Sequence, residues 1–130
     1  MKDLFNIVKI DNLNFSEFYL SLIKNILLDS DITKLYPDYW EWFENIVVFG
    51  LRNKDDIKIY VVDDAGLAIC QLRSDYFKLL TLYVIKDKRR IGIGSKLISL
   101  IHDDSRKFAR ITFKPEVEDM LLPFCEKKWF

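Results

Sequence analysis

Val84-Ile85-Lys86-Asp87-Lys88-Arg89-Arg90-Ile91-Gly92-Ile93-Gly94-Ser95-Lys96-Leu97 is the stretch on which the rest of the chain is read. An apolar run from Lys78 to Ile85 gives way to a basic loop and then to two glycines two residues apart. Beyond them Leu97, Ile98, Ile101 and Phe108 recur at helical spacing. The nearly continuous apolar run predicts a strand near the middle of a sheet. The later period predicts a helix from Ile93 to about Phe108. A strand that feeds a helix through such a turn makes an anion site. The first amides of a helix have no internal partner, and the positive end of its dipole lies there. Glycines let the backbone approach a phosphate closely and adopt dihedrals that a side chain forbids. Lys88, Arg89, Arg90 and Lys96 add mobile positive charge around it.

Three phosphate-binding patterns compete for this turn. The dinucleotide fingerprint needs a third glycine three residues after Gly94, where Leu97 stands. The P-loop needs Gly-Lys-Ser/Thr after four intervening residues, which the turn lacks. Arg-x-x-Gly-x-Gly is met by Arg89, Gly92 and Gly94.

Working towards the N-terminus, Leu67 to Leu72 and Ile57 to Val62 read as two strands joined by a tight hairpin turn at Asp63-Asp64-Ala65-Gly66. Before them come two helices. The first runs from Phe15 to about Leu28, with Asn14 as cap and Glu17 completing a capping box. Its stripe is Phe15, Phe18, Tyr19, Leu22, Ile23, Ile26 and Leu27. The second runs from about Asp38 to Leu51 behind Pro37, with Trp40, Phe43, Ile46 and Val47 on one face. Phe5 to Ile10 opens the chain as a strand. Towards the C-terminus, Arg110 to Phe113 reads as a short strand and Val117 to Lys127 as a last helix. Trp129-Phe130 would begin one more strand. The order βααβββαβα(β) is an α/β fold with a mixed central sheet, flanking helices and a C-terminal strand that is short or missing.

The 130 residues allow one domain, 1–130, and 15% aromatics supply its core. Twenty basic residues against 20 acidic ones leave no basic excess, so no nucleic-acid partner is expected. No apolar run approaches the roughly 20 residues of a membrane helix, and no signal peptide is read at the N-terminus. No membrane partner is therefore expected, and a cytoplasmic location is. Cys70 and Cys125 form no Cys-x-x-Cys pair, and a single histidine leaves no metal cluster. Reduced thiols and no metal follow as expectations.

Taken in its strand–loop–helix setting, Arg89-x-x-Gly92-x-Gly94 resembles the pyrophosphate loop of the GNAT acetyltransferase superfamily. Leu82-x-Val84 is similar to the strand that holds the pantetheine arm there. Asp64-Ala65-Gly66 is similar to the turn before the family's third strand, and Phe124-Cys125-Glu126-Lys127-Lys128-Trp129-Phe130 to its Phe-Tyr-Glu-Lys-x-Gly-Phe segment. The resemblance implies an acyl-CoA N-acyltransferase, with acetyl-CoA as co-substrate and a small-molecule or protein amine as acceptor attacking the thioester directly. It implies that Leu82 and Val84 hold pantetheine, and that Arg89, Arg90, Ile91, Gly92, Ile93, Gly94 and Ser95 hold the pyrophosphate. A catalytically inactive CoA-binding or regulatory module of the same fold is the alternative.

The catalytic candidates depart from the family pattern. Cys125 stands where members place a Tyr that protonates or orients the leaving thiolate; it either donates that proton or packs. Glu118 stands where an Asn is frequent, and Trp129 replaces a frequent Gly. Tyr83, between Leu82 and Val84, either faces the acyl group or packs in the core. General-base candidates are Glu41, Glu44, Asp75, Glu116 and Glu118, each of which also reads as a solvated surface charge. His102 falls away from the loop. In the aromatic cluster Tyr36, Tyr39, Trp40, Trp42 and Phe43, Trp40 and Phe43 are expected in the core and Trp42 at a substrate or partner surface. The closing pair Trp129-Phe130 would leave an apolar sheet edge, so a homodimer that covers it is expected.

Overall fold

The structure is a computed structural model that describes residues 4–73, 76–104 and 110–113. Along the chain lie β1 (Ile7–Ile10), α1 (Glu17–Leu28), α2 (Ile32–Leu35), a helix over residues 39–54 (α3), β2 (Ile57–Val62) and β3 (Gly66–Leu72). Then come β4 (Tyr76–Val84), one 3-10 turn at Lys86–Lys88, α4 (Ile93–Asp104) and β5 (Arg110–Phe113). The five strands lie side by side in chain order. The first four are antiparallel and β5 is parallel to β4, so the sheet is mixed as the sequence predicts. The expected helix from Val117 to Lys127, the strand at Trp129-Phe130 and the end of α4 lie outside the described residues.

Alternation along the strands sorts the core into two layers. Tyr60, Val62, Ala68, Cys70, Phe77 and Leu79 face α4, where Leu97, Ile98 and Ile101 cover them. Ile57, Ile59, Val61, Leu67 and Ile69 face the other way, under α1 and α3. Truncating a fully buried residue such as Leu97 to alanine costs about 2–5 kcal/mol in cores of this kind. Gly66, at the start of β3, lies against the first turn of α4. A Cβ there would sit 2.5 Å from Cγ2 of Ile93, so only glycine lets the helix start that close to the sheet.

Several local features differ from the sequence reading. Ser16, not Asn14, caps α1: its backbone is extended, and its Oγ accepts from the Tyr19 amide at 3.3 Å. Asn14 instead closes the turn after β1, accepting from the Asp11 amide at 2.9 Å and donating to the Lys9 carbonyl at 2.8 Å. Phe18 is 74% exposed and off the buried stripe, which consists of Ile23, Ile26 and Leu27. A short helix, α2, precedes α3. Helix α3 is α-helical over Tyr39–Trp42 and continues as π-helix over Phe43–Val48 and Gly50–Lys54. Its buried row Tyr39, Phe43, Val47 and Leu51 repeats every four residues, longer than the α-turn of about 3.6, so widened turns keep that row on one face.

The bulge in β4 positions the site. Ile69 pairs with Thr81 while the adjacent Cys70 pairs with Leu79, so Leu80 is the extra residue. Before it Phe77 and Leu79 face α4; after it Leu82 does, and Leu80 joins the opposite layer. Among the described residues β5 pairs with β4 only from Tyr76 to Leu79. Among the described residues, 80–84 therefore have a sheet neighbour on the β3 side alone. The far end of α4 is pinned by Asp104, which accepts from the Tyr60 hydroxyl at 2.7 Å and pairs with Lys9 and Lys58 at 3.3 Å each. Among the described residues no helix is long and apolar enough to cross a membrane.

Candidate functional site

The basic loop begins where β4 ends. The Ile85 amide donates to the Ala65 carbonyl at 2.8 Å, and the Lys88 amide closes the 3-10 turn onto the Ile85 carbonyl. Arg90 (φ 67°) and Gly92 (φ 97°) are both left-handed, and α4 starts at Ile93. The two glycines answer different needs. At Gly92 an added Cβ would make only an ordinary 3.5 Å contact with the Phe5 ring, so the positive φ is what demands glycine. At Gly94 an added Cβ would meet no described residue within 4 Å. The protein's own packing thus gives no reason for a glycine there, although glycine weakens a helix. Open space against the first turn of an N-terminus with unpaired amides is a shape that accepts an anion. Ile93 is buried and offers only its backbone, whereas Arg89, Arg90, Ile91 and Ser95 are exposed.

Asp29, the residue that ends α1, ties the start of this loop to the body. Its carboxylate accepts from the Lys86 amide and the Tyr83 hydroxyl, each at 2.8 Å, and those two bonds hold it below its ordinary value. The same hydroxyl lies 2.9 Å from the Asp29 carbonyl. Burial, then the bond to Asp29, pushes the Tyr83 phenol up to about 12. The Arg89 guanidinium stacks 5.3 Å from the Tyr83 ring centre. Tyr83 thus packs between α1 and the loop with its hydroxyl engaged.

The open edge of β4 can be read from its ladder. Since Ile85 bonds Ala65, the two-residue alternation makes Tyr83–Leu67 and Thr81–Ile69 the pairs bonded to β3. Leu82 and Val84 therefore aim their amides and carbonyls at the side that β5 does not reach. Arg89 Nε already donates to the Val84 carbonyl at 3.0 Å. Among the described residues, both backbone groups of Leu82 and the amide of Val84 meet no sheet partner, which is what an extended ligand needs.

On the other face of the bulge lies a cleft of about 350 Å³ between β4, α2 and the start of α3. Thr81 and Tyr39 share a buried hydrogen bond at 3.1 Å in its wall, and burial raises the Tyr39 phenol. Trp42 lines it too, its ring 5.3 Å from that of Tyr39. In the aromatic cluster, Tyr39 and Phe43 are buried in the core and Trp40 and Trp42 both pack partly against it, while Tyr36, Tyr39 and Trp42 also line the cleft. Asp38 is also in the lining. It occupies the cap position of α3, but its side chain makes no capping bond. The motif Pro37-Asp38 reads as a helix start, which is why Asp38 was absent from the expected carboxylates. Glu41 and Glu44 are exposed and do not line the cleft. His102 lies near the far end of α4 beside Asp103. Asp75, Glu116, Glu118 and Cys125, like the dimer edge at Trp129-Phe130, lie outside the described residues.

The mixed five-stranded sheet with its flanking helices has the fold of GNAT acetyltransferases among solved structures. The chain is similar to a GNAT family acetyltransferase from Streptococcus pneumoniae (16% identity over 95% of this chain and 85% of that one, TM-score 0.64). It is similar to an aminoglycoside N-acetyltransferase solved with CoA (14%, 100% and 90%, TM-score 0.62). It is also similar to a ribosomal-protein-alanine N-acetyltransferase from Brucella melitensis biovar Abortus (17%, 92% and 88%, TM-score 0.59). At these identities the likeness establishes a shared fold. No protein-family model matches the sequence, and no curated protein is significantly similar to it.

Proposed function

We propose that this chain is an acyl-CoA-dependent N-acyltransferase that moves an acetyl group from acetyl-CoA to an amine. The observation that carries the reading is the open space at Gly94. It lies at the N-terminus of α4, which follows a loop carrying Arg89 and Arg90, next to a strand edge whose Leu82 and Val84 backbone groups face away from β3. A pyrophosphate on the amides of residues 91–95 fits that space, and pantetheine paired to Leu82 and Val84 leads from it along the bulged strand. The neighbours in fold include a CoA complex and N-acetyltransferases, which supports the same chemistry here.

In this reading an ammonium enters the cleft and gives up one proton through Asp38 or water. Its nitrogen forms the C–N bond to the acyl carbon as the C–S bond breaks, and the second nitrogen proton leaves. The departing thiolate takes a proton, for which Cys125 is the candidate donor, and Glu118 is a further candidate for the base. The products are an N-acyl amine, CoA thiol and one proton released to solvent. Backbone amides at the bulge polarise the carbonyl. Calorimetric titration of acetyl-CoA, followed by free-thiol release with a panel of amines, tests this. Binding with turnover supports the enzyme. Binding without turnover for any amine supports the inactive CoA module, and absence of binding overturns both.

A further inference from the structure

The acceptor's chemical class is written in the cleft beside the bulge. Among the described residues that line it, Asp38 is the one charged group, and the rest of the wall is mostly aromatic and branched apolar surface from Ile32, Leu35, Tyr36, Trp42 and Leu80. We propose that the cleft takes a small monoamine carried on an aromatic or branched apolar body, with Asp38 receiving its ammonium and Trp42 and Leu35 its apolar part. This inference rests on the acyltransferase reading given above.

Three observations converge. The carboxylate of Asp38 stands at a helix cap position without capping and makes no hydrogen bond or ion pair among the described residues, so an incoming ammonium displaces nothing. A polycation would leave its other charges against Leu35, Pro37 and Trp42, where no carboxylate among the described lining residues meets them, at the cost of their desolvation. A single ammonium beside the faces of Tyr36 and Trp42 gains cation–π attraction as well as the ion pair. Size points the same way. A cleft of about 350 Å³ lies at the low end of ligand pockets, which run from about 300 to 1,000 Å³. It suits an arylalkylamine rather than an oligosaccharide. Leu35 is 71% exposed at the rim, and an apolar body seated there would cover it.

Calorimetry on the full chain, with 2-phenylethylamine, 2-phenylethanol, spermidine and kanamycin as probes, each alone and with CoA present, tests the proposal. Saturable binding of 2-phenylethylamine is expected, at least tenfold tighter than the other three. Asp38→Asn should weaken it at least tenfold and leave acetyl-CoA affinity within twofold. Trp42→Leu keeps an apolar filler and should also weaken it, so the two variants separate charge from shape. The proposal is overturned if spermidine or kanamycin binds better than the aryl amine. It is equally overturned if Asp38→Asn changes nothing, or if no amine binding is seen with or without CoA. Because amine binding is read directly, the two ideas fail separately. Acetyl-CoA binding without amine selectivity removes only the acceptor assignment, and amine binding without acetyl-CoA binding removes only the acyltransferase reading.

Discussion

Substituting Gly94 should move stability and cofactor affinity in opposite directions. Its Cβ position is empty to 4 Å, so alanine adds a methyl to open space at the second residue of α4. Replacing a helical glycine with alanine stabilises by roughly 0.5–1 kcal/mol, and the first turn takes the low end of that range. About 0.5 kcal/mol corresponds to a rise of about 2 °C in Tm for a domain of this size. Acetyl-CoA, however, would meet that methyl. A carbon keeps an oxygen about 3.3 Å away or more, which holds the phosphate out of hydrogen-bond range of the amide behind it. A hydrogen bond to a charged group is worth about 1.5–3 kcal/mol, so losing one lowers affinity by at least tenfold. Gly94→Val should lower it further. Thermal unfolding measured beside calorimetric titration reads both quantities on one sample. A folded Gly94→Ala protein with raised Tm and acetyl-CoA affinity within twofold of the parent would refute the assignment of that space to the pyrophosphate.

Three further outcomes are expected. Tyr83→Phe leaves the Asp29 carboxylate only its bond from the Lys86 amide and loosens the loop, so Tm should fall by a few degrees and KM for acetyl-CoA should rise severalfold with kcat within threefold. A fall of about 10²-fold in kcat with Tm and KM unchanged would instead make Tyr83 a proton donor. Burial works to raise the Asp104 carboxyl, but the Tyr60 hydroxyl, Lys58 and Lys9 together hold it below its ordinary value. The stability it contributes is therefore present above the unfolded carboxylate value of about 3.9 and is lost as pH falls through the lower folded one. Asp104→Asn should cost about 1 kcal/mol at pH 7, after allowance for solvent screening, and the gap to the parent should close below about pH 4. A gap that widens in acid would contradict the pairing. Cys125→Ala should keep acetyl-CoA affinity and reduce turnover by about 10²-fold, as removal of a general acid does; unchanged thiol release would leave packing as the role of Cys125.

How far the fold was legible depended on how strongly each segment is patterned. β2 and β3 alternate cleanly between two packed faces, and α4 carries its apolar stripe from Ile93 to Ile101, so both were readable as they stand. The bulge at Leu80 was not. Residues 79–85 are apolar on both faces apart from Thr81, so an inserted residue breaks no visible alternation. The cap of α1 was misplaced because Asn14 and Ser16 both suit the role, and only the extended backbone at Ser16 decides between them. In the loop, Gly92 was legible as a backbone requirement because its left-handed φ calls for glycine, whereas the packing around Gly94 calls for none. The cleft was less legible: it is assembled from α2, Pro37-Asp38 and the bulge, which are adjacent in space and distant in sequence. Trp42, expected at a surface, lines the cleft but also packs partly against the core, as Trp40 does.

A crystal structure of the full chain with acetyl-CoA tests the central claim most directly. The pyrophosphate should lie within hydrogen-bond distance of the amides of residues 91–95, and the pantetheine amides should pair with Leu82 and Val84. The thioester should open towards the cleft that Asp38 and Trp42 line. Acetyl-CoA seated on any other surface, with the Gly94 space holding only solvent, would contradict it.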